Sequence, residues 1–131
     1  MPVAASRFLP EPTIARPGFG PVSAAGDTLV IREWTDSGPS HLHIHRSDDE
    51  AWHVLEGCLR FRFEHGEVDA PAGTTVFVPA GLAHTYRVIQ TSRYLIILTP
   101  RLDRLIARLR SLPDPTQLRS TLAEFDTVIV E

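Results

Sequence analysis

The chain is 131 residues long, with 43% hydrophobic, 22% charged and 8% aromatic residues. This is the profile of one soluble globular domain whose core needs no disulfide framework or zinc staple. A single cysteine, Cys58, excludes an internal disulfide, and 13 basic against 16 acidic residues give a net charge of −3, which leaves no electrostatic footprint for nucleic acid or an anionic membrane.

Residues 1–26 carry prolines at positions 2, 10, 12, 17 and 21, and are predicted to lie as an extended arm over the rest of the fold or over a partner subunit. They contain no apolar stretch of signal-peptide length. Nowhere does the chain approach the ~18 apolar residues of a membrane helix; its longest clean run is Tyr94–Leu98. A cytoplasmic location without membrane contact is expected. All 13 basic residues are arginine and asparagine is absent, a bias that suits a GC-rich bacterial genome better than any function.

Residues 27–99 form the predicted body. Short apolar-alternating runs at 28–34, 41–45, 51–55, 59–64, 67–69, 75–78, 84–88 and 94–99 are separated by Gly, Pro and Asp, which is how strands and tight turns read. No helix-length pattern interrupts them to make a parallel crossover, so the predicted fold is all-β, a sandwich or barrel. After Pro100 the period changes. Leu102, Leu105, Ile106 and Leu109 fall at i, i+3, i+4 and i+7, with arginines at 101, 104, 108 and 110 on the remaining faces, predicting an amphipathic helix with a solvated basic side. Asp114 and Pro115 read as the N-cap and first turn of a second helix that carries Leu118, Leu122 and Phe125 and ends near Glu124 or Phe125. Residues 100–131 are thus expected to be a helical tail of the same domain, and 127–130 suit a short last strand.

The residues that carry chemistry lie in the body. His43 and His45 are two apart on a predicted strand, and alternation puts both imidazoles on one face. Glu50 opens the next strand, so a hairpin would return its carboxylate beside the rings. Two imidazoles and one carboxylate suit a single divalent transition metal, with Fe, Mn, Co, Ni, Cu and Zn equally acceptable. Downstream, Pro79 and Gly81 form a turn that feeds a strand carrying His84, Tyr86 and Val88 on one face, which offers a third nitrogen.

His43, His45, Glu50 and Gly57 match the pattern HxH, four residues, Glu, six residues, Gly, and Gly73, Pro79, Gly81 and His84 match Gly, five residues, PxG, two residues, His. With these two motifs the chain resembles the cupin superfamily, and in particular its small single-domain, quercetinase-like members. It departs in two places: four residues rather than five separate Gly38 from His43, and Val88 stands where the second motif ends in asparagine. The resemblance implies a double-stranded β-helix, or jelly-roll barrel, with a metal near one mouth held by His43, His45, Glu50 and His84. About two coordination positions would remain for water, oxygen or substrate.

Extending the same face by alternation makes Trp52, Phe61, Tyr86 and Ile96 the expected walls of an apolar, aromatic substrate pocket. His41, in phase with His43, is placed at its mouth, either in solvent or against substrate. The implied function is that of a metal-dependent enzyme on a small molecule, first of all a dioxygenase opening an electron-rich enol or phenol. Glu50 would then be a ligand, or also a catalytic base toward a substrate hydroxyl. A Lewis-acid isomerase, epimerase or polyketide-cyclase-like role, and a non-enzymatic metal or small-molecule binding module, stay open because a fold does not choose among them.

The other polar candidates have plainer expectations. His53 and His65 are expected outside the site, and Cys58 is read as structural. Arg32 shares the face of Val30 and Trp34, as an edge charge in solvent or an anchor for a substrate anion. Several strands are apolar on both faces, with Val76 and Val78 opposed to Phe77, and Ile96 and Leu98 to Leu95 and Ile97. Only one face can line a cavity, so a homodimer is expected.

Overall fold

The computed structural model describes residues 10–35, 38 and 41–131. The first nine residues of the expected arm, and residues 36, 37, 39 and 40, lie outside the described residues. The strands are β1 (Ser23–Ala25), β2 (Val30–Trp34), β3 (His43–His45), β4 (Glu50–Phe63), β5 (Gly66–Pro71), β6 (Thr75–Val78), β7 (His84–Leu98) and β8 (Thr127–Ile129). Together they make one eight-stranded antiparallel sheet, rolled into a barrel of the jelly-roll kind. No helix among the described residues is long and apolar enough to cross a membrane.

Two expected pairs of strands prove to be single long strands. The runs at 51–55 and 59–64 belong to β4, and those at 84–88 and 94–99 belong to β7. These two strands pair along nearly their whole length, from Glu50 opposite Leu98 to Phe63 opposite His84. Register shifts between Val54 and Leu59 explain why β4 reads as two pieces. Glu50, Trp52 and Val54 are buried before the irregularity, and Leu59 and Phe61 after it, so the inward parity changes from even to odd. An extra residue in one strand flips the side chains that follow to the opposite phase. At the centre of the irregularity Gly57 has φ +80°, a conformation that glycine adopts without a Cβ penalty.

Strand β1 falls inside the segment expected to be an extended arm. It pairs with β2 through Ser23–Arg32 and Ala25–Val30, and β2 pairs in turn with β7. At the other end of the chain β8 pairs with β3, His45 opposite Thr127.

Helix α1 (Pro100–Arg110) starts where expected. The Thr99 hydroxyl accepts from the Leu102 N–H at 3.2 Å and donates to the buried Asp48 carboxylate at 2.9 Å, an N-cap tied to the barrel. Asp114 accepts from the Thr116 N–H at 3.0 Å, but the element it caps is a single 3-10 turn, Pro115–Gln117, and the second helix, α2, runs from Leu118 to Glu124. Arg32 is neither a free edge charge nor a substrate anchor. Its Nε and Nη2 donate to the two oxygens of Asp103 at 3.0 and 2.8 Å, a fork-on-carboxylate pair that fastens α1 to β2. The expected solvated basic side of α1 is also partly paired, since Arg108 reaches Glu124 at 3.1 Å and Arg101 lies 3.2 Å from Asp48.

Candidate metal centre and cavity

Pairing of β3 with β7 sets His43 directly opposite His84, and alternation along β3 brings His45 to the same face. The three rings cluster with centroid separations of 4.4 to 5.3 Å. One ligand atom from each falls within 4.8 Å of the others. Glu50, at the start of β4, reaches across the barrel so that its Oε1 lies 3.2 Å from both His45 Nε2 and His84 Nε2. All four side chains are buried.

The outer nitrogens fix what the inner ones can do. His43 Nδ1 lies 2.8 Å from the His41 carbonyl oxygen and His84 Nδ1 lies 2.9 Å from that of Leu82. A carbonyl only accepts, so both Nδ1 atoms carry protons. His45 Nδ1 lies 2.8 Å from the Thr127 hydroxyl, which itself donates to the Phe125 carbonyl, and so is also a donor. Each neutral ring therefore points an unprotonated Nε2 inward, and two of these lone pairs face the Glu50 carboxylate at 3.2 Å. Lone pairs set against an anion require positive charge between them, as extra ring protons or as a cation. A divalent metal satisfies three nitrogens and one carboxylate at once, and backing of each ligating imidazole through its other nitrogen is the usual arrangement of metal-binding histidine. The donor set fits such an ion.

Titration behaviour agrees with that role. Burial, followed by the charges of His84 and His45, lowers His43 to about 4, so the ring is neutral and able to ligate near pH 7. For Glu50 burial pushes upward, but the hydrogen bonds and positive charge that His45 and His84 supply when Nε2 is also protonated outweigh it and hold the carboxyl below its ordinary range.

The metal-free protein is therefore expected to lose stability on acidification. An unfolded histidine takes its proton near 6.5 and folded His43 near 4, so across that window only the unfolded state gains the proton. The loss from His43 alone approaches about 3 kcal/mol, and Glu50 adds to it as pH falls below the ordinary carboxylate range. Urea midpoints of EDTA-treated protein between pH 7 and 5 measure this; a flat profile would contradict it.

Above the cluster opens a cavity of about 420 Å³, at the small end of the usual ~300–1,000 Å³ range of small-molecule sites. Its barrel side carries Trp52, Tyr86 and Ile96, with His41 exposed at the rim. Trp52 makes edge-on contacts with His84 at 5.7 Å and Tyr86 at 5.4 Å. Gly38 also lines the cavity, and a Cβ there would fall 2.2 Å from the Tyr86 ring, so only glycine lets the chain pass over that ring.

Phe61 does not line the cavity. It lies fully buried behind the wall, 5.1 Å from Trp52 and 5.4 Å from Tyr86. The bulge in β4 turns its part of the strand toward the packed end of the barrel. His53 is bound to Thr75, His65 is exposed and Cys58 is buried, so none of them enters the site.

The opposite wall was missed by sequence reasoning. Leu105, Ile106 and Leu109 of α1 and Leu118 and Leu122 of α2 close the cavity from the tail. Their helical spacing marked them as a buried stripe, but nothing in it distinguishes packing on a barrel wall from roofing its mouth. Trp34 and Arg110 complete the rim, with the Arg110 guanidinium 3.8 Å from the centroid of the Trp34 ring.

Burial, then Tyr94, push the Tyr86 hydroxyl well above its usual range. It is neutral and paired with the Tyr94 hydroxyl at 3.0 Å. The Trp52 N–H, buried beside it, pulls the other way on Tyr86.

A family model described as cupin domain matches residues 29–99. Among solved structures, a cupin-2 domain containing protein from Shewanella frigidimarina NCIMB 400 is similar at 20% identity and TM-score 0.52, over 73% of this chain and 88% of that one. KdgF from Halomonas sp. is similar at 18% identity and TM-score 0.55, over 71% and 90%. Pac13, a nucleoside dehydratase from Streptomyces, is similar at 14% identity and TM-score 0.50, over 59% and 63%. These likenesses concern the fold. No curated protein matches the sequence significantly.

Proposed function

The chain belongs to the cupin domain family, and from that premise we propose that it is a metal-dependent enzyme, dioxygenase-like, acting on a small aromatic or enolic molecule held in the barrel. The observation that carries this reading is the convergence of three inward Nε2 atoms and the Glu50 carboxylate at the floor of an apolar-walled cavity. A divalent transition metal held there by His43, His45, His84 and Glu50 would supply Lewis acidity toward a substrate oxygen and, with a redox-active ion, a route for electrons to oxygen.

The chain's own residues set the conditions for that chemistry. The leucines of α1 and α2 make one side of the cavity apolar, so a substrate that fills it displaces water and strengthens the electrostatic interactions at the floor. Trp52 and Tyr86 offer flat surfaces to a planar ring. Tyr86, neutral and tied to Tyr94, is no base. Glu50, held ionised by its histidine neighbours, serves better as an anionic ligand than as a proton acceptor, because a depressed pKa makes a weak base.

The test is oxygen uptake by protein reconstituted separately with Fe, Mn, Co, Ni, Cu and Zn, across a panel of phenols and enols. Consumption of oxygen in step with substrate loss, with redox-active ions and not with zinc, is expected. Turnover without oxygen that zinc also supports would replace this reading by a redox-neutral, Lewis-acid one. Binding of panel compounds without change under any ion would leave a small-molecule binding module.

A further inference from the structure

We propose that the cavity is built for an aromatic carboxylate, with Arg110 at the rim as the residue that recognises the acid group. This rests on reading the cavity as a substrate site, and it adds the ligand's charge and polarity pattern.

Two observations carry it. The first is the state of the Arg110 guanidinium. Its Cζ lies over the Trp34 ring, 3.8 Å from the centroid, a cation–π contact that holds the group in place and leaves its N–H donors to other partners. Arg32, Arg101 and Arg108 each meet a carboxylate, on Asp103, Asp48 and Glu124 respectively. Arg110 meets none among the described residues, though it is just as able to. A guanidinium already held over an aromatic ring loses little freedom when a carboxylate docks on it.

The second is charge balance within the cavity. Its floor is formed by the histidines and Glu50, its walls are apolar or aromatic, and Arg110 is the one lining residue with a fixed positive charge among those described. A neutral aromatic molecule would not use that charge, whereas an aromatic acid matches both it and the walls.

The test is isothermal titration calorimetry with 2-naphthoate and its neutral isostere 2-naphthamide, on metal-free and on zinc-loaded protein. In the metal-free protein, 2-naphthoate is expected to bind about 10-fold or more tightly than the amide. Arg110→Gln should erase that preference while leaving the affinity for the amide within about two-fold, and Arg110→Lys should keep part of it, the charge being retained but the planar fork lost. Arg110 is exposed, and an unchanged circular dichroism spectrum and melting midpoint will show that its variants fold.

Equal affinity for the two probes, a preference that survives Arg110→Gln, or no binding of 2-naphthoate at about 5 mM would each overturn the proposal. A preference seen only with zinc and indifferent to Arg110 would do so too, because the acid would then be a metal ligand, and the metal-dependent reading would stand. The converse result, an Arg110-dependent preference in a protein that binds no metal, would support the proposal and remove the metal-dependent reading.

Discussion

Replacing His84 with alanine is expected to lower affinity for a divalent transition metal by well over about 100-fold. Loss of a partner that merely backs a ligand already costs roughly 10- to 100-fold, and here a directly ligating nitrogen goes. Three rings and one carboxylate share a single centre, and His84 touches every part of it. It lies opposite His43 across the β3–β7 ladder, its Nε2 is 3.2 Å from Glu50, and it packs against Trp52. Its absence would leave Glu50 with His45 as its only ring neighbour. The double replacement of His43 and His45 should abolish binding outright. Thr127→Val, which removes only the hydroxyl behind His45, belongs in the milder range and makes the internal control. Competition against a chromogenic chelator measures all three. Full occupancy of the double variant would end the assignment of these residues as ligands.

Gly57→Ala is expected to be among the most destabilising single substitutions available in the fold. The residue sits at φ +80°, and a Cβ would come 2.2 Å from the Thr91 carbonyl oxygen and 2.5 Å from Ser92 Oγ. Backbone cannot swing aside as a flexible side chain does, and Ser92 is held in place because its hydroxyl accepts from the Cys58 N–H and donates to neighbouring carbonyls. Strain at positive φ and the clash together are expected to cost about 3 kcal/mol or more, seen as a melting midpoint lowered by roughly 10 °C. Gly73, at φ +90° with nothing within 4 Å of its would-be Cβ, isolates the backbone contribution, so Gly73→Ala should cost only about 1–2 kcal/mol. Equal losses at the two positions would mean that the close approach to Thr91 is not what requires glycine at 57.

The spacing of His43, His45, Glu50 and His84 was enough to bring them together, because alternation on a strand and closure of a hairpin are local rules. The stripe from Leu102 to Leu109 likewise announced its helix. What the sequence hid is non-local. Phe61 shares the inward side of β4 with Trp52 yet stands behind it, because period-two patterning says that a residue points inward and not whether it meets a cavity or the packed end of a barrel. The parity change at Gly57 made one strand look like two. Trp34 and Arg110 are far apart in sequence, and no pattern in either segment marks the other. Arg32 was misread for the same reason: its partner, Asp103, lies on a helix whose docking site cannot be read from strand periodicity.

The pairing of β8 with β3 bears on the order in which the molecule can be made. Thr127, which sets the tautomer of His45, lies 82 residues beyond it, and Glu131, which accepts from the Leu42 N–H and pairs with Arg62, lies further still. On the ribosome the histidines of β3 emerge long before the strand that orients one of them. Contacts so distant in sequence form late and make folding slow. The nascent chain thus passes through a stage in which β3 has lost the protection of the unfolded ensemble but has no neighbour on its outer edge, an opportunity for pairing with another chain. Pairing of β8 covers that edge and supplies the hydroxyl that backs His45 in one step.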